Sequence, residues 1–233
     1  SRNLAQVEFH LTWGHPERRG KGDAGPIQEF LDGICMVYAE GRLAQVVDFR
    51  SAHEDHIVQD GNATRGNTEL AKAISRSIQH SGDVMSDVGG EHDIQMDLGA
   101  LPREVTDIFF VLAVFEAESL ANFPNPSVRI YDAFSKRQLT EYHIGSAGES
   151  QAVVMCSLSR TNGRWVINGM GLRCEGSVKR YDLIQQALGS QQGDYMRWER
   201  RQAIVLVRVL YKTGRLTKAS TSDLAGFLWQ VLR

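Results

Sequence analysis

Val105-Thr106-Asp107-Ile108-Phe109-Phe110-Val111-Leu112-Ala113-Val114-Phe115-Glu116-Ala117 is the stretch on which the fold turns. From Ile108 to Phe115 every side chain is apolar, mostly β-branched or aromatic, and Leu101-Pro102 marks a break before the run. A short continuous apolar run of this composition reads as a central strand buried on both faces. Upstream, residues 34–49 read as a β-hairpin, with Glu40-Gly41 at a turn that needs glycine's positive φ. Ile94, Met96 and Leu98 alternate with polar neighbours, giving one face of another strand. Downstream, a turn cluster at 122–126 precedes strands over 127–133, 137–144 and 151–160. Thr161-Asn162-Gly163 then turns into a strand over 164–172. Short strands at this cadence predict a mainly β chain built as an antiparallel β-sandwich.

Two regions break the pattern. Residues 69–79 place Leu70, Ala73, Ile74 and Ile78 at helical spacing, with Thr68 as a cap. From Ser177 onward, residues 178–188 and 194–212 read as helices. A last helix capped by Ser220 or Thr221 carries a stripe of Leu224, Phe227, Leu228, Val231 and Leu232. The chain therefore divides into a β domain over 1–176 and a C-terminal α-helical extension over 177–233. Residues 50–67 are polar loop.

The 233 residues carry a formal net charge of −2, which conceals an asymmetry. Residues 1–176 hold 16 basic and 24 acidic side chains, whereas 177–233 hold 10 basic and 4 acidic. An acidic body and a basic tail point to electrostatic contacts with a protein partner, or of the tail with its own body. Arg197, Arg200, Arg201 and Arg208 interleave with Tyr195, Trp198 and Tyr211, a mixture that can also bind nucleic acid. The wholly apolar 203–207 favours a packed helix and protein contacts instead. No apolar run reaches membrane-spanning length, and the opening residues carry no signal-peptide pattern. Cys35, Cys156 and Cys174 are few, odd in number and far apart, which favours a reducing compartment over a disulfide framework.

The chemistry-bearing stretch is residues 79–98, QHSGDVMSDVGGEHDIQMDL, a glycine-punctuated acidic loop running into a strand. Asp83, Asp87, Glu91 and Asp93 fall within eleven residues. Folded back on itself, such a loop brings several oxygens to one point, as calcium requires with its six to eight oxygen ligands. The alternative is a solvated loop whose acids never converge. His53-Glu54-Asp55-His56 has no third ligand at a recognised spacing and reads as hydrated loop. No G-x-S-x-G elbow or Walker loop is present, and Gly169-Met170-Gly171 lacks the third glycine of a dinucleotide fingerprint. An enzyme is not expected.

The order of segments is itself a signature. VEFHLTW (7–13), FLDGICMVYAEGRL (30–43), HSGD (80–83) with its acidic loop, and DLGALPREVTDIFFVLAVFEA (97–117) resemble the tellurium-resistance TerD family in order and spacing. So do NPSVRIYD (125–132), LTEYHI (139–144) and GRWVINGMG (163–171). The resemblance covers roughly residues 7–176. It implies a cytoplasmic, non-enzymatic stress and tellurite-resistance protein, a β-sandwich that binds calcium through acidic loops at one end. It implies Asp32, Asp83, Asp87, Glu91 and Asp93 as metal ligands. The family's Gly-Asp-Asn is here Gly82-Asp83-Val84, its Thr-Gly step is Ser86-Asp87, and its Asp-Asp-Glu end becomes Gly90-Glu91-His92 before Asp93. The loop is about two residues shorter, and the family's Asp-Leu-Asp is Phe30-Leu31-Asp32. Each missing carboxylate removes a hard oxygen ligand, so a degenerate calcium site is expected. A purely structural subunit without metal function is the alternative.

Overall fold

The computed structural model describes residues 4–16, 30–52, 68–143, 148–161 and 163–189. The chain divides into two compact units, residues 1–184 and 185–233. The first is mainly β, with two antiparallel sheets.

One sheet contains β1 (Gln6–Gly14), β4 (Ile78–His80), β5 (Val84–Met85), β6 (Gly89–Asp97), β8 (Ser127–Asp132) and β9 (Gln138–His143). Its order is β4-β6-β1-β8-β9, with β5 also paired to β6. The other contains β2 (Leu31–Ala39), β3 (Arg42–Val47), β7 (Val105–Val114), β10 (Ala152–Thr161) and β11 (Arg164–Cys174), in the order β11-β10-β7-β2-β3.

Burial follows the sequence pattern. In β1, Val7, Phe9, Leu11 and Trp13 are buried while their neighbours are half-exposed, so this sheet is solvated on one face. In β7, Ile108 to Val114 are all buried, the two-faced burial that the continuous apolar run predicts. Phe9 stacks on Phe110 at 4.6 Å between centroids, joining the sheets through one core. Filling such a position with a buried aromatic ring contributes about 2–3 kcal/mol over an exposed one.

The hairpin from β2 to β3 turns at Glu40-Gly41, both at positive φ (52° and 76°), the conformation of a type I′ turn. Cys35 and Cys156 are buried and all three cysteines are free. Among the described residues no helix is long and apolar enough to cross a membrane.

Several boundaries differ from those expected. The helix expected over 69–79 is α1 (Thr68–Ser77), and Ile78–His80 leave it to pair with Ile94–Met96 of β6. Pairing with β6 buries Ile78 and His80 and exposes Gln79, so sheet formation overrides local helix spacing there. The acidic segment is also more ordered than a loop, because β6 already starts at Gly89. The helix expected over 178–188 covers 181–189, after a turn in which the Arg180 amide donates to the Ser177 carbonyl. The helices expected over 194–212 and from 220 onward, and His53–His56, lie outside the described residues.

Candidate functional site

Four chain segments meet where β3 stops covering β2. Pairing of β2 with β3 begins only at Cys35–Val47, whereas β2 pairs with β7 from Leu31 onward. Gly33 therefore has hydrogen-bonding groups turned away from β7 with no strand to receive them. Two histidines of the opposite sheet receive them instead. His80 on β4 donates from Nε2 to the Gly33 carbonyl at 3.0 Å, and His92 Nδ1 on β6 accepts the Gly33 amide at 3.2 Å.

These bonds settle both tautomers. His80 Nδ1 accepts the Gly82 amide at 2.9 Å, so its proton is on Nε2. His92 Nδ1 is likewise an acceptor, so His92 Nε2 carries the proton and donates to Asp83 Oδ1 at 2.8 Å. The rings meet edge to face at 4.8 Å, and Trp13 packs edge-on against His92 at 5.0 Å. Burial, then the neighbouring His92, pushes His80 down to about 4 from its ordinary value of 6.5.

Asp83 reaches this place because Ser81-Gly82-Asp83 bow out between β4 and β5. Gly82 sits at φ 75°, and the Ser81 amide holds the Asp93 carbonyl at 2.8 Å. Asp32 completes the group: ligand atoms of Asp32, Asp83 and His92 lie within 4.8 Å of one another. Asp32 is 1% exposed and its Oδ2 has no hydrogen-bond partner; Trp13 Nε1 nearby is also buried without one. Burial, then Asp83 and Asp48, raises the Asp32 carboxyl well above the usual carboxylate range.

Beneath lies a second buried carboxylate, Asp48, which is fully satisfied. The Arg50 guanidinium grips both its oxygens, the Arg50 amide donates to Oδ1 at 3.0 Å, and the Tyr181 hydroxyl donates to Oδ2 at 2.5 Å. A buried carboxylate with this many charge-assisted donors is stably held.

Of the five expected ligands, the structure brings together Asp32 and Asp83. Asp87 is exposed at the tip of a tight turn closed by the Ser86 amide on the Gly89 carbonyl at 2.8 Å. Glu91 and Asp93 alternate with buried His92 along β6 and so fall on its opposite, half-exposed face. There Asp93 pairs with His10 at 2.6 Å. The turn is tight because Gly89 and Gly90 pass over Trp13: a Cβ at Gly89 would stand 1.9 Å from the Trp13 carbonyl oxygen. His80, Asp48 and Tyr181 are the site residues that sequence reading missed. Asp48 had a usable signal, an acid directly ending an apolar strand run with an arginine two residues on.

Calcium takes six to eight oxygens. Asp32 and Asp83 supply two carboxylates, and neither nitrogen of His92 has a lone pair to spare. Among the described residues, the side chains do not fill a calcium cage.

The TerD domain matches residues 67–181, from the start of α1 to Tyr181. The tellurium resistance protein TerZ of Serratia marcescens is 30% identical over 179 residues, covering 74% of this chain and 82% of that protein. The chain belongs to the TerD family. General stress protein 16U of Bacillus subtilis is 28% identical over 184 residues, covering 76% and 85% of the two chains. A TerD homologue of Streptomyces coelicolor shares the fold, with a TM-score of 0.54 at 17% identity over 77% of this chain and 96% of that one. The TerD match takes in Asp83, His92 and Tyr181, while Asp32, Gly33 and Asp48 lie upstream of it.

Proposed function

We propose that this TerD-family chain is a non-enzymatic binding module of stress or tellurium resistance, acting in the cytoplasm. It is read as a β-sandwich whose acidic end keeps a remnant of a cation site. The observation that carries this reading is the division of the five acids: buried Asp32, with its unpartnered Oδ2, lies beside the exposed Asp83, while Asp87 is exposed in the turn and Glu91 and Asp93 fall on the other face of β6. Two carboxylates suffice for weak attraction of a divalent ion and fall short of a calcium sensor's ligand count. The names of its relatives, a tellurium resistance protein and a general stress protein, support the physiological setting. The basic C-terminal stretch, net +6 over 177–233, is the proposed contact region for a protein partner, with nucleic acid the lesser candidate.

Thermal melting in chelator and then in rising calcium tests the reading. A site with a dissociation constant of about 1 mM adds about 0.4 kcal/mol at 1 mM calcium, roughly 1–2 °C for a unit of this size. A site of about 10 µM would add about 2.7 kcal/mol, several degrees. The smaller shift is expected. A large shift saturating at micromolar calcium would mean a complete site.

A further inference from the structure

We propose that His92 stands where a complete cation site would need a further oxygen ligand, tying Asp83 to β2 through a neutral imidazole that has no lone pair left to give an ion. The inference rests on the reduced-site reading above and gives its cause in one side chain. His92 is fully buried and uses both nitrogens, Nδ1 for the Gly33 amide and Nε2–H for Asp83. To ligate an ion through Nε2, the ring proton would have to move to Nδ1, where it would face the Gly33 N–H donor. Turning the ring over would break both bonds, in a space bounded by Trp13 and His80. An ion reaching Asp83 through its other oxygen would therefore find no lone-pair donor in His92 and, among the described residues, only the carboxylate of Asp32 beside it. The second pointer is Asp32. Its Oδ2 is buried and unpartnered, and a carboxylate oxygen of Asp32 lies within 4.8 Å of ligand atoms of Asp83 and His92. The segment 81–83 is thereby fixed to the opposite sheet without metal.

The test compares full-length wild type with His92→Asp, each melted in chelator and in 1 mM calcium. Wild type is expected to move by about 2 °C or less. His92→Asp places a third carboxylate beside Asp32 and Asp83. It is expected to melt below wild type in chelator and to recover by about 4 °C or more in calcium. A folded His92→Asp protein with no calcium gain beyond that of wild type overturns the inference. Should the variant not fold, long-range 15N–1H spectra of wild-type histidines decide. His92 is expected as the Nε2–H tautomer in chelator, in calcium and in zinc, and loss of its Nε2 proton on adding either ion overturns the proposal. A micromolar calcium response of wild type would refute the reduced-site reading, a separate outcome from either of these.

Discussion

His80 and His92, on neighbouring strands of one sheet, hold the carbonyl and the amide of the same residue, Gly33, in the other sheet. Face-to-face sheets usually adhere through apolar side chains alone. Here two imidazoles also do, across a gap in strand pairing, the work of a missing strand segment. Gly33 suits the place: a Cβ there would approach Leu11 to 3.3 Å and His92 Nδ1 to 3.6 Å.

Removing His92 should therefore destabilise the protein through more than lost packing. His92→Ala leaves the Gly33 amide and Asp83 without partners, and a loss of about 2–4 kcal/mol is expected in urea denaturation. A double-mutant cycle with Asp83→Asn should give a coupling energy of about 1–2 kcal/mol for this charge-assisted bond. A cycle that closes to zero would mean that the 2.8 Å contact carries no energy.

Stability should fall on mild acidification because of His80. Its folded value of about 4 lies below the ordinary 6.5, so the unfolded chain takes up the proton first. The contribution is complete above pH 6.5, declines as pH drops through the window, and levels off below about 4. At 1.36 kcal/mol per pH unit, the displacement amounts to about 3 kcal/mol at most. His80→Gln should flatten this limb of the stability–pH curve. An unchanged slope between pH 6.5 and 4 would place the titration elsewhere.

Asp32 has the opposite sign. Its folded value is raised, so keeping it ionised costs stability once pH climbs above the ordinary 3.8. Asp32→Asn removes that penalty and should raise the melting temperature at pH 7 by a few degrees, by relieving a buried, unpaired carboxyl. It should also abolish any residual calcium response. A lower melting temperature at pH 7 would show that the carboxyl has a compensating partner.

Tyr181→Phe deletes one donor to the buried Asp48 carboxylate and should cost about 1.5–3 kcal/mol. Asp182→Ala, which breaks an exposed, solvent-screened pair with Arg180 one residue along, should leave stability essentially unchanged. Comparable losses for the two variants would deny Asp48 its special status.

Strands were legible in the sequence wherever side-chain periodicity alone decided them. β7 announced itself by an unbroken apolar run, β6 by alternation and β8 by its place after a turn cluster, while β1 was legible only through the resemblance of residues 7–13. β4 was not legible, because Ile78 satisfies a helical stripe and a strand pattern equally, and only pairing with Met96 decides between them. The acidic stretch was visible as chemistry but not as geometry. Spacing brings Asp83, Asp87, Glu91 and Asp93 close in sequence, while the two-residue period of β6 sends Glu91 and Asp93 away from His92. Which acid meets which is fixed by non-local contacts, Asp83 with His92 and Asp48 with Tyr181, the latter pair 133 residues apart.

The most direct measurement is a calorimetric titration of the chelator-treated wild-type protein with calcium at neutral pH. The expected result is a weak isotherm that does not saturate below about 0.1 mM, since among the described residues the site offers two carboxylates, one already bonded to His92. Saturable binding in the micromolar range would contradict it, because the described residues place no third carboxylate beside Asp32 and Asp83.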